Sequence, residues 1–334
     1  MNPDVNKLNA ASEVLLAWLG QLRLGAPMHC GPLALVPVYR GEQIDPVAYR
    51  TLPDALGSGA ATISEHTSAT VPSLRLVNHG QLPILLLDGE EVAGGLQNRV
   101  VNTTLLIAST CVFDLPVSCI EHGRWHAVRK DFEAGEAVHP TLRRQKAEQV
   151  TAGFAAASAP LADQSAVWAE VAERQRRTGT RSATSALRDA FVMRQRDLAI
   201  VERELRFPTD HPTGVVALVA GRAMCADLFD RSDTLRQYWS RLIRSYALEA
   251  IGEATEEPRL DSARRLLSRP NGAACRPFHS PGLGADVRIM GNGVVGSCLV
   301  YADRVLHAAL FRGRSPGAST RMRSPGERRR SRLQ

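Results

Sequence analysis

Apolar residues recur at helical spacing in only some stretches of this chain, and elsewhere they crowd into short runs. Near the start, Val14, Leu15, Trp18, Leu19 and Leu22 share one face and predict an amphipathic helix over Ala11 to Leu22. The runs GPLALVPVY, ATISEH, LRLVN, PILLLD, TTLLIAST and PVSCIE follow, separated by Gly, Pro, Asn and Asp, with connections too short for crossover helices. From about Pro140 the pattern turns helical: Val167, Trp168 and Val171, then Leu187, Phe191, Leu198, Val201 and Leu205. GVVALVA (214–220) interrupts as a single buried strand, and Leu235, Tyr238, Trp239, Leu242, Ile243, Tyr246, Ala247 and Ile251 then form the widest apolar stripe. Beyond a linker at 252–258 come one more helix and the strands ADVRIMG, VVGSCLVYA and RVLHAALF, with Ala302 and Asp303 as a tight turn between the last two.

Strands, then helices, then strands predict an α+β fold. In it a mixed, largely antiparallel sheet, built from the N-terminal strands and the C-terminal hairpins, packs against a central group of helices. The expected organisation is an N-terminal helix over 1–29, one domain over 30–312, and a disordered arginine-rich tail over 313–334. The tail holds seven arginines and one glutamate, which accounts for +6 of the formal net charge of +7, so the body is close to neutral. The basic balance therefore implies a nucleic-acid or acidic-membrane partner only through the tail, by counterion release, and a solvated terminus is the plainer reading. Six cysteines form no CxxC pair and no zinc-ligand spacing. No signal peptide and no apolar stretch of about 20 residues is visible, which makes the reducing cytoplasm the default location and excludes a membrane-spanning reading.

Candidate chemistry gathers where apolar runs end. PILLL (83–87) leads into DGEE (88–91), QNR (97–99) precedes TTLLIAST, and LPVSCIEHGRW (115–125) ends on Glu121, Arg124 and Trp125. Asp88-Gly89 is a hairpin-turn signal that on its own would leave two exposed glutamates. Against it stand Gln97, Asn98, Arg99 and Asn102, some of which must face inward. An inward arginine needs a carboxylate or an anionic ligand, and Asp88, Glu90, Glu91 and Glu121 are the available carboxylates. A guanidinium forks onto phosphate or carboxylate, and an indole stacks on a base or sugar, so Arg124 and Trp125 suit a nucleotide-sized anion. Arg143, Arg144 and Lys146 at a helix start either extend a positive wall over the site or form a solvated face, and Glu65 is a strand-end acid suited to a general base. His122 and His126 would meet only on a helix that Gly123 argues against. There is no Walker loop, GxSxG, HExxH or GxGxxG motif, hence no cofactor motif, and Asp88 with Glu90 is a weak signal for a divalent cation.

The segments ISE (63–65), LLLDGEEVAGGLQNRVVNTTLL (85–106), PVSCIEHGRW (116–125), QSAVW (164–168), YWSRLIRSYALEAI (238–251) and VLHAALF (305–311) together resemble the ADP-ribosylglycohydrolase- and rhodanese/phosphatase-associated protein domain family, the ARPP group. The resemblance runs over roughly residues 30 to 312; Leu96 stands where a basic residue is expected before QNR. It implies a link to processing of NAD derivatives and ADP-ribose, with an ADP-ribosyl-processing enzyme as a candidate partner. It also implies a site lined by Glu65, Asp88, Glu90, Gln97, Asn98, Arg99, Asn102, Glu121, Arg124 and Trp125. Two readings fit. One is an enzyme acting on a phosphorylated nucleotide-type ligand, with Glu65, Asp88, Glu90 or Glu121 supplying acid and base and the arginines binding phosphate, Arg144 and Lys146 extending that positive surface. The other is a non-catalytic module that binds such a nucleotide or docks onto a partner.

Overall fold

The computed structural model describes residues 3–41, 46–66, 72–124, 131–157 and 159–313. Trp125, His126 and the arginine-rich stretch from 314 onward lie outside the described residues. The expected α+β class is what the chain adopts: the described residues form 8 helices and 18 strands, largely antiparallel. None of those helices is long and apolar enough to cross a membrane.

A nine-stranded antiparallel sheet is the backbone of the molecule. Its order runs Leu22–Leu24, Leu33–Arg40, Gly214–Val219, Arg222–Phe229, Arg304–Arg312, Val294–Tyr301, Ala285–Gly291 and Ala274–His279, with Met28–Cys30 also paired to Leu33–Arg40. GVVALVA is thus half of a hairpin. The run after it, RAMCADLF, is mostly apolar and supplies the other half, with Arg222 and Asp227 as its charged residues. Ala302 and Asp303 both have positive φ, 50° and 57°, as a two-residue turn matched to strand twist requires. Most of the early strands do not join this sheet, contrary to expectation. They form a six-stranded sheet, ordered Glu133–Ala137, Glu90–Ala93, Arg99–Val101, Cys111–Cys119, Ser73–Asn78 and Ala61–Ser64. A small three-stranded sheet completes them, Leu105–Ile107, Ile84–Leu86 and Arg50–Thr51, whose last pair is parallel.

Alternation along the nine strands sends Ala34, Val36, Val216, Leu218, Ala226, Leu228, Ala308 and Leu310 to one face, where Ala11, Leu15 and Trp18 of the helix Pro3–Leu19 pack with Ala263 and Leu266 of the helix Leu260–Ser268. The other phase, Leu33, Leu35, Val215, Ala217, Cys225, Phe229, Ala309 and Phe311, meets the stripe of the helix Ser232–Ala250 and reaches Leu85, Leu87, Val100 and Leu106 of the smaller sheets. Asp227 and His307 fall in that same inward phase, so both are fully buried at the junction of the sheets.

Candidate functional site

The segment 88–102 is buried almost throughout, and the hairpin reading of Asp88-Gly89 does not hold. The strands that flank it, Ile84–Leu86 and Glu90–Ala93, belong to different sheets, and Glu90 and Glu91 are 2% and 1% exposed. Gly89, at φ 80°, lets the chain turn from one sheet to the other; a Cβ there would come within 2.6 Å of Arg143 Cγ.

The predicted residues separate into several places. Glu65, Gln97, Asn98, Arg99, Glu121 and Arg124 meet around the loop Gly94–Asn98. Arg124 donates from Nε to Glu121 Oε2 at 3.0 Å, from Nη1 to the Gly95 carbonyl at 2.7 Å, and from Nη2 to Asn98 Oδ1 at 3.1 Å. The Asn98 amide closes the circuit on Glu121 Oε2 at 3.2 Å. Behind it, Arg99 donates to Gln97 Oε1 at 2.9 Å and to the Cys119 sulfur, and pairs at 3.6 Å with Glu65, which also accepts the Leu96 amide. The partner of Arg99 is therefore Glu65, and none of Asp88, Glu90, Glu91 and Glu121. Among the described residues, Glu65 Oε2, Gln97 Nε2 and Arg99 Nε are buried without a hydrogen-bond partner. Gln164, in QSAVW, clips the strand end by accepting from the Cys119 amide at 2.8 Å and donating to its carbonyl at 2.6 Å.

This cluster lines a cavity of about 270 Å³, whose walls include Asn98, Glu121, Arg124, Thr184, Glu133, Arg188 and Asp189. Glu121 in its wall and Glu91, which is buried and outside the lining, sit in unlike surroundings. Burial pushes the Glu91 carboxyl up to about 7, against the opposing influence of the Glu136 amide and Arg188. Glu121 also loses hydration on burial, but Arg124, the Asn98 amide and Thr184 hold its carboxyl below the usual range. Glu91 and Glu121 lie close enough for the Glu121 charge to raise Glu91 further.

Asp88 and Lys146 belong elsewhere, in a sealed network centred on Arg143. Arg143 forks onto Asp227 at 2.6 and 2.8 Å and onto Asp88 at 3.0 Å. His307 Nε2 lies 3.2 Å from Asp227 and Nδ1 2.9 Å from Thr104 Oγ1, which accepts the Asp88 amide; Tyr246 donates to Asp227. Asp227 is held well below the usual carboxylate range, Arg143 and His307 outweighing the cost of burial. Lys146 donates to the Val101 carbonyl at 2.8 Å, and burial pushes its amine down to about 7. The solvated-face reading of this helix start thus fails for Arg143 and Lys146, which are 1% and 2% exposed.

Glu90 accepts the Leu87 amide and the Tyr238 hydroxyl, whereas Asp88 faces Arg143, so the two carboxylates engage different partners. Asn102 is spent on the Pro160 carbonyl and Ser118. Arg144 pairs with Glu148 and lines a separate cavity of about 840 Å³. Asp227, His307 and Arg188 were missed from sequence; for the first two, the inward phase of their strands was the available signal.

A family model, the ARG and Rhodanese-Phosphatase-superfamily-associated Protein domain, matches residues 21–311. No curated protein and no solved structure matches the chain.

Proposed function

The chain belongs to the ARPP-1 family, and from that premise we propose that it is an enzyme acting on a phosphorylated, ADP-ribose-type nucleotide whose ribose-phosphate end enters the cavity beside Glu121 and Arg124. The family's name ties it to ADP-ribosylglycohydrolase and rhodanese–phosphatase proteins by association, and the ligand class follows from that link together with the polar lining. The observation that carries the reading is the convergence of Asn98, Glu121, Arg124 and Arg188 on one cavity. At about 270 Å³ it is at the small end of ligand sites, suited to a sugar with one phosphate.

Glycosidic chemistry needs one carboxyl that holds a proton near neutrality and one that stays ionised. Glu91, pushed up to about 7, supports the first role and Glu121, held low, the second. The Glu121 contacts with Arg124, the Asn98 amide and Thr184 that keep it ionised also orient it, so its part is to stabilise developing positive charge at the sugar. Arg188, partly exposed and only loosely paired with Glu133 at 3.6 Å, is free to turn onto a phosphate. The rest of the body, over residues 30–312, acts as one unit that holds this cavity in shape.

The test is thermal shift and product analysis with ADP-ribose, ADP and ribose 5-phosphate. Glu121→Gln is expected to keep the ligand-induced shift and lose turnover, and Arg188→Ala to weaken binding about ten- to a hundredfold, the loss of one charge-assisted contact of ~1.5–3 kcal/mol. Unchanged binding in Arg188→Ala together with unchanged turnover in Glu121→Gln would remove the ligand from this cavity. The non-catalytic reading is favoured by one observation, the full engagement of Glu121 by Arg124 and Asn98, and tight binding without product would establish it.

A further inference from the structure

The larger cavity, about 840 Å³ at one end of the nine-stranded sheet, shares no lining residue with the one beside Glu121. Five arginines line it; Arg144 and Arg177 are paired with Glu148 and Glu253, and the other three come from separate chain segments. Arg222 opens the strand Arg222–Phe229, and Arg312 closes the neighbouring strand Arg304–Arg312. Arg269, in the short turn Arg269–Gly272, lies over Gly293, donating to its carbonyl at 2.6 Å. Gly293 is held beside Arg312 by a second bond, from the Gly313 amide at 2.8 Å. Gly293 has φ 70°, which strains any residue with a Cβ, and an added methyl would press on Arg269 at 3.2 Å from the guanidinium carbon.

The acids in the same wall are already committed. Glu249 is engaged by Arg174 and Thr141, Glu253 by Arg177, and Glu256 by Arg259 at 3.1 Å. Among the described residues, Arg222 and Arg312 have no carboxylate within ion-pair distance, and Arg269 has only the Gly293 carbonyl. Partial burial, and then Arg222 and Arg269, hold the Arg312 guanidinium below the usual arginine range. Like charges gathered without counter-charge cost stability, and a multiply charged anion is what converts that cost into affinity. The cavity also offers Val219, Met224 and Phe311 as an apolar wall beside the arginines, and its volume is that of a nucleotide site.

We propose that Arg222, Arg269 and Arg312 form a second binding site, for the phosphoanhydride of inorganic pyrophosphate or a nucleoside diphosphate, independent of the cavity beside Glu121. Two or three guanidiniums around linked phosphates discriminate by charge count, so monophosphates bind weakly. The test is calorimetric titration of the full chain with inorganic pyrophosphate, ADP, AMP and inorganic phosphate, for the unaltered protein, for Arg222→Ala with Arg312→Ala, and for Arg188→Ala. Arg222 and Arg312 are exposed, so their removal leaves the fold intact, which circular dichroism checks. Pyrophosphate is expected to bind at least tenfold tighter than phosphate, to lose at least thirtyfold in the double variant, and to be unaffected by Arg188→Ala. ADP binding tighter than pyrophosphate assigns the apolar wall to the base; equal affinity assigns the site to the anhydride alone. Retention of pyrophosphate affinity in the double variant, or its loss in Arg188→Ala instead, would overturn the proposal.

Discussion

Arg143 shows at the level of one side chain how the interior tolerates charge. It answers two buried carboxylates at once, and each nitrogen that faces them finds an oxygen. Removing it leaves Asp88 and Asp227 opposed without a cation, and breaking a buried pair in this way costs ~3–5 kcal/mol. Arg143→Met is therefore expected to lower the urea unfolding free energy by that amount, while Arg143→Met combined with Asp227→Asn recovers part of it. Arg143 drew attention in the sequence only as one of three basic residues in LRRQKAE; nothing local distinguishes it from Arg144, which is also largely buried but is paired within its own helix with Glu148. The difference lies in the register of the helix over the sheet, which sequence does not contain. Protonation follows from the same burial. Glu90 and Glu91, ordinarily at 4.5, keep their protons to about 7 when folded, so between those values the unfolded chain binds fewer protons and stability falls as pH rises. Lys146 is the opposite case: unfolded it holds its proton to 10.5, folded it releases it at about 7, so stability rises with pH across that window. A minimum near neutrality is expected in melting temperatures measured at about pH 5.5, about 7 and about 9, with each limb worth at most about 1.4 kcal/mol per pH unit per group. Glu90→Gln with Glu91→Gln should flatten the acid limb and Lys146→Met the alkaline one; a profile unaltered by either change would refute the assignment.

At the scale of elements, the loop Gly94–Asn98 decides whether the cavity beside Glu121 exists. Its two glycines have φ 147° and 50°, which turns the Gly94 and Gly95 carbonyls onto Arg124. At Gly95 a Cβ would collide with the Phe132 ring and stand 2.8 Å from Glu65 Oε1. Gly95→Ala is thus expected to cost ~1–3 kcal/mol of stability through strain and forced displacement, and to abolish ligand-induced thermal shift even at temperatures where the protein stays folded. Retained binding would show that the loop does not shape the cavity. Much of this element was legible: QNR after an apolar strand, and an arginine that had to find a carboxylate. Its partner was not, because Glu65 lies 34 positions away in sequence on another strand end, and alternation fixes which face a residue takes without fixing what it faces. The same limit explains Asp88-Gly89. A turn dipeptide specifies a reversal, and it serves equally well to carry the chain from one sheet into another.

For the whole molecule, the pattern of runs was enough for the α+β class and for the paired C-terminal strands, which are largely apolar runs joined by short turns. It could not show that the early strands would leave the main sheet, because a strand's sequence carries its burial but not its neighbour. Charge follows the same rule. Most of the formal excess lies in the last residues, yet the body concentrates part of its own positive charge at one end of the nine-stranded sheet, where strand order alone brings Arg222 and Arg312 together with Arg269. Repulsion among exposed groups is screened over about 10 Å at ~0.1 M salt. Raising NaCl from about 20 to about 300 mM should therefore increase the melting temperature of the unaltered protein by about half a degree, the effect of a few tenths of a kcal/mol in a chain of this size, read by differential scanning calorimetry. Arg222→Ala with Arg312→Ala should melt higher at low salt and respond less to added NaCl. The arginines beyond residue 313 are common to both proteins and cancel in the comparison. If the two proteins respond equally to salt, the three guanidiniums are not close enough to strain one another, and the anion site built on them loses its physical basis.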